Sequence, residues 1–360
     1  MKYLLTGGHV TPALAVIERM EQDDHVVFVG RKTALAGEKE ASFEFMEITS
    51  RGIPFIHLHT GKLNRSLSLS SLRQALLMPI GLVQSLLILL WRRPDVVLTF
   101  GGYIALPIAL SAWILRIPLF VHEQTIAPGL TNRLMSRFAR CTFVTYEQTK
   151  SQFQPPVVVT GNPVRAQVFA QNKDTTLLDG LDLKRPLLLV LGGSLGSHSV
   201  NTLIEQILPQ LKKKYTLLHQ SGNVKEFDDF KRLKTHEDTH YRVVEHISSA
   251  DIGFAYARSR IVIARSGANT VSELIALKKP AVLVPLPWSA SGEQRAHARL
   301  LEDSGVAVVF EQTGNASELI SAMEKASKIE SYAFHTTPHA SNPQHTILAE
   351  IRQRLGRKRS

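Results

Sequence analysis

Continuous runs of valine, isoleucine and leucine alternate with longer helical stretches along the first half of the chain. A run that is apolar throughout, rather than at every second position, is typical of a strand buried on both faces of a parallel sheet. Helical stretches such as PALAVIERM and IALPIALSAWIL separate these runs. The runs that predict strands are KYLLT, DHVVFVG, PDVVLTF, IPLFVHEQ and CTFVTY.

The same alternation starts again after a linker near TGNPVRAQVFAQNKDTT. The strands predicted there are PLLLVL, YTLLHQ, YRVVEHI, IVIA and PAVLVP, and AVVF predicts a sixth. A length of 360 residues also favours two domains. We therefore predict an α/β protein with two Rossmann-like domains at residues 1–163 and 164–340. A C-terminal helix at about 341–356 is expected to pack back on the first domain.

The formal charge of +11 is concentrated in one part of the chain. Between Arg51 and Arg165 there are 12 lysines and arginines against 3 acidic residues, and the most apolar run lies in the same stretch. This combination favours an anionic membrane surface over nucleic acid, for which the sequence has no recognition motif. Cys141 is the only cysteine, so a disulfide within the chain is excluded, which fits a reducing cytoplasm.

Eighteen uncharged residues, QALLMPIGLVQSLLILLW, lie between Arg73 and Arg92. Their length just reaches that of a membrane-spanning helix, but Pro79, Gly81 and two polar residues interrupt the run. We therefore expect a helix that lies on the bilayer surface, with burial in the domain core as the alternative. The side chains expected at the membrane are Leu76, Leu77, Ile80, Leu87, Trp91, Arg73, Arg92 and Arg93.

Two glycine turns in the first half follow predicted strands directly. They are TGGHVTP, at residues 6–12, and Gly101–Gly102–Tyr103. Glycine permits close backbone approach, and the N-terminus of the following helix favours an anion. His9 lies on the first turn and is a candidate general base near neutral pH. A helix-capping histidine without a catalytic role is the alternative.

The second half has two comparable loops. GGSLGSHSVN, at residues 192–201, offers amides and hydroxyls to a diphosphate, with an ordinary tight turn as the alternative. It lacks the lysine of a P-loop. In ARSGANTVSEL, Glu273 is a candidate to bind both ribose hydroxyls. The alternative is a glutamate that complements the helix dipole.

His122 and Glu123 end a predicted strand, at the edge where open α/β sheets bind ligands. The sequence has no third residue at metal-ligand spacing from them, and no Asp-x-Asp motif follows a strand, so we expect no metal site. Positive charge for a leaving diphosphate would then come from helix dipoles and from Arg165 or Arg265.

Nine motifs, in order across both halves, resemble those of the MurG family of glycosyltransferases. They are TGGHVTPALAV, TGKLNR, GGYIALP, HEQTIAPGLTNRL, TGNPVR, GGSLGS, HQSGN, RSGANTVSEL and VPLP followed by EQ. The resemblance implies the GT-B architecture, in which two Rossmann-like domains face a central cleft. It also implies inverting transfer of N-acetylglucosamine from UDP-N-acetylglucosamine to lipid I, for peptidoglycan synthesis and thereby cell shape and division.

The resemblance further implies a peripheral enzyme on the cytoplasmic face of the cell membrane. Its partners would be the two substrates, the anionic membrane surface and proteins of the cell-wall synthesis machinery, without nucleic acid. No cofactor is expected, and a divalent cation would at most stimulate the reaction. The first domain would bind lipid I and the second the nucleotide sugar.

Site residues follow from the same resemblance, position by position. His9 would be the base, with Glu123 as the alternative base or as the group that orients it. The acceptor diphosphate would lie against Gly7, Gly8, Gly101, Gly102 and Tyr103. The donor would contact Thr6, Gly7, Gly8, Thr125, Arg165, Ser194, Ile247, Ala268, Asn269, Thr270, Val271, Ser272, Glu273 and Gln294. Within that set, the Ile247 amide would read the uracil, Ser194 would hold the diphosphate and Gln294 would bind the sugar hydroxyls.

The chain departs from the family pattern at several of these motifs. Leu4 and Leu5 replace two glycines before the first loop, and Ala105 stands where the second loop commonly has a glycine. Thr125 replaces an asparagine, and Glu293 replaces the first of two glutamines. Three alternatives therefore stay open: a GT-B enzyme with another acceptor, a UDP-sugar epimerase of the same fold, and an inactive scaffold.

Overall fold

The structure, a computed structural model, describes residues 1–33, 41–61, 69–172, 174–193, 196–223, 227–289, 292–330 and 342–356. For residues 69–77 it describes the backbone alone. The chain divides into two compact units, Met1–Pro163 with Ala340–Ser360, and Val164–His339. Each unit has its own parallel sheet and its own apolar cores on the two faces of that sheet.

Within the described ranges, the sheet of the first unit has seven strands. They are β1 (Lys2–Thr6), β2 (His25–Gly30), β3 (Phe55–His57), β4 (Val96–Thr99), β5 (Leu119–Glu123), β6 (Cys141–Val144) and β7 (Val157–Val159). All pairs are parallel, in the order β3-β2-β1-β4-β5-β6-β7. The predicted strands are confirmed. The outer strands β3 and β7 were not predicted, because three half-buried residues carry too little apolar pattern.

Helices cover both faces of this sheet. Alternate strand residues face opposite cores, so Tyr3 and Leu5 pack on one side and Leu4 on the other. The helices of the first unit that precede the second unit are α1 (Val10–Ile17), α2 (Phe43–Thr49), α3 (Leu69–Arg92), α4 (Ala105–Ile114), α5 (Leu130–Ser136) and α6 (Glu147–Lys150).

The described part of the second unit has a sheet of six strands. They are β8 (Leu187–Leu191), β9 (Thr216–Gln220), β10 (Tyr241–Val244), β11 (Ser259–Ala264), β12 (Ala281–Leu283) and β13 (Ala307–Val309). They are parallel, in the order β10-β9-β8-β11-β12-β13, and all were predicted, including the short last strand. The helices are α7 (His198–Lys214), α8 (Asp229–Lys234), α9 (Ile252–Arg258), α10 (Ala268–Ala276), α11 (Glu293–Asp303) and α12 (Ala316–Ser327).

The C-terminal helix α13 (Pro343–Gly356) belongs to the first unit. Ile347 and Ile351 are fully buried in the same core as Leu14 of α1. The Arg352 guanidinium forms a 2.7 Å ion pair with Asp24. Apolar burial and this charge pair therefore hold the end of the chain on the first unit.

The strand order reverses at one place in each sheet. In the first unit the reversal lies between β1 and β4, and in the second between β8 and β11. At such a switch point, the loops after the two central strands leave in opposite directions and open a crevice at the carboxyl edge. Each crevice is therefore the place to look for a ligand site.

Candidate active site

The crevice of the first unit is built by the loops that follow β1 and β4. The Gly8 amide donates to the Gly101 carbonyl at 2.9 Å, and the Phe100 amide donates to the Thr6 carbonyl at 2.8 Å. Gly7 has a φ of 150°, and a Cβ there would lie 2.9 Å from the backbone of Phe100. Because the loops meet backbone to backbone, the two predicted phosphate loops form one continuous surface.

His9 lies at the rim of this crevice, as the residue that caps α1. Its φ and ψ of −114° and 88° are not helical, and its side chain makes no capping hydrogen bond. The ring is accessible to solvent, yet the protein around it desolvates the imidazole and lowers its pKa. The side chain therefore has no capping role, and its neutral form is favoured, which is the form that accepts a proton.

Glu123 is nearly fully buried at the end of β5. Its Oε1 accepts hydrogen bonds of 2.8 Å from both the amide and the hydroxyl of Thr125. Its Oε2 accepts from Asn132 Nδ2 at 2.8 Å and from the Gly129 amide at 3.3 Å. Burial raises the pKa of Glu123, and these donors lower it in part. Since both oxygens hold the following loop, the geometry favours a structural role for Glu123 and Thr125 over catalysis or donor binding.

Two aromatic side chains border the same crevice. His122 is buried against the Phe100 ring, and its Nε2 lies 3.3 Å from the Gly161 carbonyl. Burial lowers the pKa of His122 to about 4, so the ring is neutral at pH 7. Tyr103 packs beneath the Arg31 guanidinium, which lies 5.3 Å from the centre of the tyrosine ring. Arg31 is a cation beside the predicted acceptor loop that sequence reasoning missed.

The crevice of the second unit lies between the loops that follow β8 and β11. A Cβ at Gly196, whose φ is 87°, would overlap the Ser221 carbonyl, so the loop requires glycine there. Ser197 caps α7 with its side chain. Ser194, predicted to hold the diphosphate, lies outside the described residues. Gly196 and Ser197 lie at the N-terminus of α7, whose positive end favours an anion.

Glu273 lies in the second turn of α10, in contact with two donors. Its Oε1 lies 3.5 Å from Arg165 Nη2, and its Oε2 accepts a 3.0 Å hydrogen bond from the Tyr256 hydroxyl. Arg165 also lies 3.3 Å from the Ser249 hydroxyl. Burial raises the pKa of Glu273, while Arg165 lowers it in part. The structure thus brings together two residues that are predicted to contact the sugar donor, Arg165 and Glu273, although they are 108 positions apart in the chain.

Residues 268–272, also predicted to contact the donor, form the first turns of α10. Ile247 differs from the expectation, because its amide donates to Gln220 Oε1 at 3.1 Å. The Gln220 Nε2 in turn donates to the Gly193 carbonyl at 3.0 Å. A uracil would reach the Ile247 amide only after the Gln220 carboxamide moved. Sequence reasoning missed Gln220, although its place at the end of β9 in HQSGN was a usable signal.

Gln294 lies at the start of α11, and some of its polar atoms form hydrogen bonds within the protein. Its Oε1 accepts from the Leu286 amide at 3.0 Å, and its carbonyl accepts from the Ser266 hydroxyl at 2.7 Å. Among the described residues its side-chain NH₂ group makes no hydrogen bond, so it can donate to the hydroxyls of a sugar. Over the described ranges, no three histidine, cysteine, aspartate or glutamate side chains are grouped closely enough to hold a metal ion.

Helix α3 has a buried and an exposed apolar face. Leu89 is buried against the core, whereas Leu87 and Trp91 are 62% and 73% exposed, and Ile80 is exposed as well. The Arg92 guanidinium lies 4.2 Å from the centre of the Trp91 ring. The side chains of Arg73, Leu76 and Leu77 lie outside the described residues, and Arg93 is exposed. Exposed apolar side chains that sequence reasoning missed lie on α4 and α5: Trp113, Ile114 and Leu130.

No helix in the described part of the chain combines the length and the apolar composition needed to cross a bilayer.

Two parallel-sheet units, each with a glycine loop at its switch point, define the GT-B class of glycosyltransferase folds. Residues 6–144 match the N-terminal domain of glycosyltransferase family 28, and residues 187–354 match its C-terminal domain. The chain is 32% identical over 338 residues to UDP-N-acetylglucosamine--N-acetylmuramyl-(pentapeptide) pyrophosphoryl-undecaprenol N-acetylglucosamine transferase 2 of Bacillus cereus, covering 91% of this chain and 92% of that protein. It is 34% identical over 311 residues to the transferase of Legionella pneumophila strain Lens, covering 85% and 82%. The chain therefore belongs to the MurG family within glycosyltransferase family 28.

Solved structures show the same fold without deciding the chemistry. Acinetobacter baumannii MurG superposes with a TM-score of 0.69 at 24% identity, over 98% of this chain and 99% of that one. The UDP-GlcNAc 2-epimerase of Neisseria meningitidis, bound to UDP-GlcNAc, gives 0.65 at 16% identity, over 98% and 100%. Because a transferase and an epimerase fit almost equally well, sequence identity rather than fold separates the two activities.

Proposed function

We propose that this chain transfers N-acetylglucosamine from UDP-N-acetylglucosamine to the C4 hydroxyl of the muramoyl sugar of lipid I, which produces lipid II. The observation that carries the proposal is the identity of about one third with transferases of that name, over 91% of the chain in one case. The site geometry supports it, since one crevice ends in an accessible histidine and the other in an arginine–glutamate pair. The product would serve peptidoglycan synthesis, and with it cell shape and division.

In the proposed reaction, the acceptor oxygen attacks C1 of the donor sugar while its proton passes to His9. The lowered pKa of His9 supports this role, because the base must be neutral at the start. The new C1–O bond forms as the bond from C1 to the diphosphate breaks, so the configuration inverts. No covalent intermediate is formed, and UDP is the leaving group.

The donor would bind at the crevice of the second unit. Glu273 would accept hydrogen bonds from the ribose, since its orientation is fixed by Arg165 and Tyr256. The diphosphate would lie at the positive end of α7, and the uracil beside Gln220 and Ile247. Gln294 would donate to a sugar hydroxyl. We propose no cofactor, since the transfer is redox-neutral and these groups stabilise the departing charge; a divalent cation would only stimulate it.

We also propose that the first unit binds the cytoplasmic face of the cell membrane peripherally, alongside other cell-wall synthesis proteins. The exposed apolar side chains of α3 and α4 support this, because arginines flank them and the acceptor is a lipid. Apolar contact and attraction to anionic headgroups would act together.

Turnover of purified protein with lipid I and a panel of UDP-sugars tests the proposal. We expect lipid II with UDP-N-acetylglucosamine, a β configuration by NMR, and little product with UDP-glucose or UDP-N-acetylgalactosamine. Absence of turnover with lipid I would exclude this acceptor. Formation of an epimer without any acceptor would instead establish the epimerase alternative.

A further inference from the structure

Arg265 follows β11 directly and is a buried cation, only 7% exposed. Its Nη1 donates to the Val284 carbonyl at 3.0 Å, and its Nη2 donates to Gln312 Oε1 at 2.7 Å. Its Nε and Nη2 lie 3.1 and 2.7 Å from the Ser197 hydroxyl, and Nη2 also contacts the Ser199 hydroxyl. Every one of these acceptors is neutral, and among the described residues no carboxylate forms an ion pair with this guanidinium.

This lack of a counterion distinguishes Arg265 from the other well-buried arginine of the second crevice. Arg165 faces the Glu273 carboxylate at 3.5 Å. A charge taken out of water without a counterion destabilises the free protein. Burial lowers the pKa of Arg265 to about 10, which still leaves it charged at pH 7. A bound anion from outside the chain would supply the missing counterion and offset this cost.

The position of the charge indicates where that anion binds. Ser197 is the residue that caps α7, and Ser199 is in its first turn, so Arg265 lies behind the positive end of that helix. Gly192 and Gly193 follow β8, and Gly196 precedes the same helix end. The Ser199 hydroxyl donates its own proton to Gln312 Oε1 at 3.1 Å. The Ser197 hydroxyl accepts from the Arg265 guanidinium and from the Val200 amide, so Arg265 holds the residue that caps the helix. The helix dipole and the buried charge of Arg265 thus favour an anion at the same place.

We propose that Arg265 is a positioning residue that makes this site selective for the diphosphate of the nucleotide, acting through Ser197 at the N-terminus of α7. The inference rests on the proposed function, because it takes a uridine diphosphate to be the ligand. Its consequence is specific: Arg265 contributes to the binding of phosphate groups and not to the binding of the nucleoside.

Binding of UDP, UMP and uridine to the full-length chain tests this consequence, by calorimetry for the nucleotides and ligand-detected NMR for uridine. We expect Arg265→Gln to weaken UDP binding by about 10- to 100-fold, the range for a lost charge-assisted interaction, and to change uridine binding by less than about twofold. Arg265→Lys, which keeps the charge, restores part of the UDP affinity. The matched control is Arg260→Gln in β11, the strand that Arg265 follows. Arg260 is exposed and donates to the Ser327 carbonyl, so its loss changes neither affinity.

Ser197→Ala provides a second test if the glutamine variant does not fold. It is expected to weaken UDP binding selectively, by less than Arg265→Gln. Equal losses for UDP and uridine would show that Arg265 only maintains the fold, and unchanged UDP affinity would also overturn the inference. Failure of the wild-type chain to bind any uridine nucleotide would overturn the proposed function itself, which is a different result.

Discussion

The second unit should lose stability in mild acid because its core holds a neutral histidine. His219 in β9 is fully buried, with Nε2 3.0 Å from Asn201 Oδ1 and Nδ1 2.9 Å from the Tyr241 hydroxyl. The Asn201 NH₂ group donates to Ser221 and Asp229, so its oxygen must accept the proton on Nε2. The tyrosine hydroxyl then donates to Nδ1, which leaves the ring no place for a second proton.

The size of the effect follows from the difference in pKa between the folded and unfolded states. Burial lowers the pKa of His219 from 6.5 to about 3 in the folded protein. The stability from this neutral ring is complete above pH 6.5 and is lost as the pH falls toward 3, because only the unfolded chain takes up the proton. Each pH unit below 6.5 costs about 1.4 kcal/mol, so lowering the pH from 7 to 5 costs about 2 kcal/mol through His219 alone. The buried His297 of the same unit, whose pKa is lowered to about 4, adds to the loss in wild type and variant alike.

Hydrogen-exchange mass spectrometry over a urea series, at pH 7 and pH 5, measures this loss of stability separately for each of the two structural units. Peptides covering Leu187–Leu191 and Thr216–Gln220 report on the second sheet. His219→Gln should be less stable at both pH values but should lose about 2 kcal/mol less than wild type between them. His236→Gln, which removes an exposed histidine of the same unit, should lose as much as wild type. Equal losses in wild type and His219→Gln would show that His219 does not cause the acid sensitivity.

Three further predictions concern the crevices and the exposed face of α3. His9→Ala should lower kcat by about 10²- to 10⁴-fold at saturating substrates, since the general base is lost while binding is retained; steady-state turnover measures it. Glu273→Gln should weaken UDP binding about tenfold in calorimetry, because a charged acceptor for the ribose is lost. Leu87→Asp should weaken binding to vesicles with anionic lipid by about tenfold or more in a sedimentation assay, because a 62% exposed apolar side chain becomes charged.

Each of these variants has an outcome that contradicts its premise. A near-normal kcat in His9→Ala would remove His9 from the mechanism. For Glu273→Gln, an equal loss of affinity for UDP and 2′-deoxy-UDP would show that the carboxylate does not bind the ribose 2′-hydroxyl. The control for Leu87→Asp is Phe169→Asp, an exposed apolar position of the second unit; if both variants lose vesicle binding equally, α3 is not the contact surface.

The fold class and most strands of both sheets could be predicted from the order of residues along the chain. Central strands such as Val96–Thr99 and Leu187–Leu191 are buried on both faces, so burial alone demands an unbroken apolar run that can be read locally. The need for glycine at position 7 could also be predicted, because a loop that packs backbone against backbone leaves no room for a side chain. Motif order along the chain was enough to indicate the family.

The tertiary structure alone decided which groups are available for chemistry. Hydrogen bonds from Thr125, Gly129 and Asn132 occupy the Glu123 carboxylate, and Gln220 occupies the Ile247 amide. The Glu123 partners lie within nine positions of it, whereas Gln220 and Ile247 are 27 positions apart and meet because their strands end at the same edge of the sheet. Among the described residues Arg265 also has no carboxylate partner. Whether a buried charge has a counterion depends on the side chains that pack around it, and the neighbouring sequence does not show this.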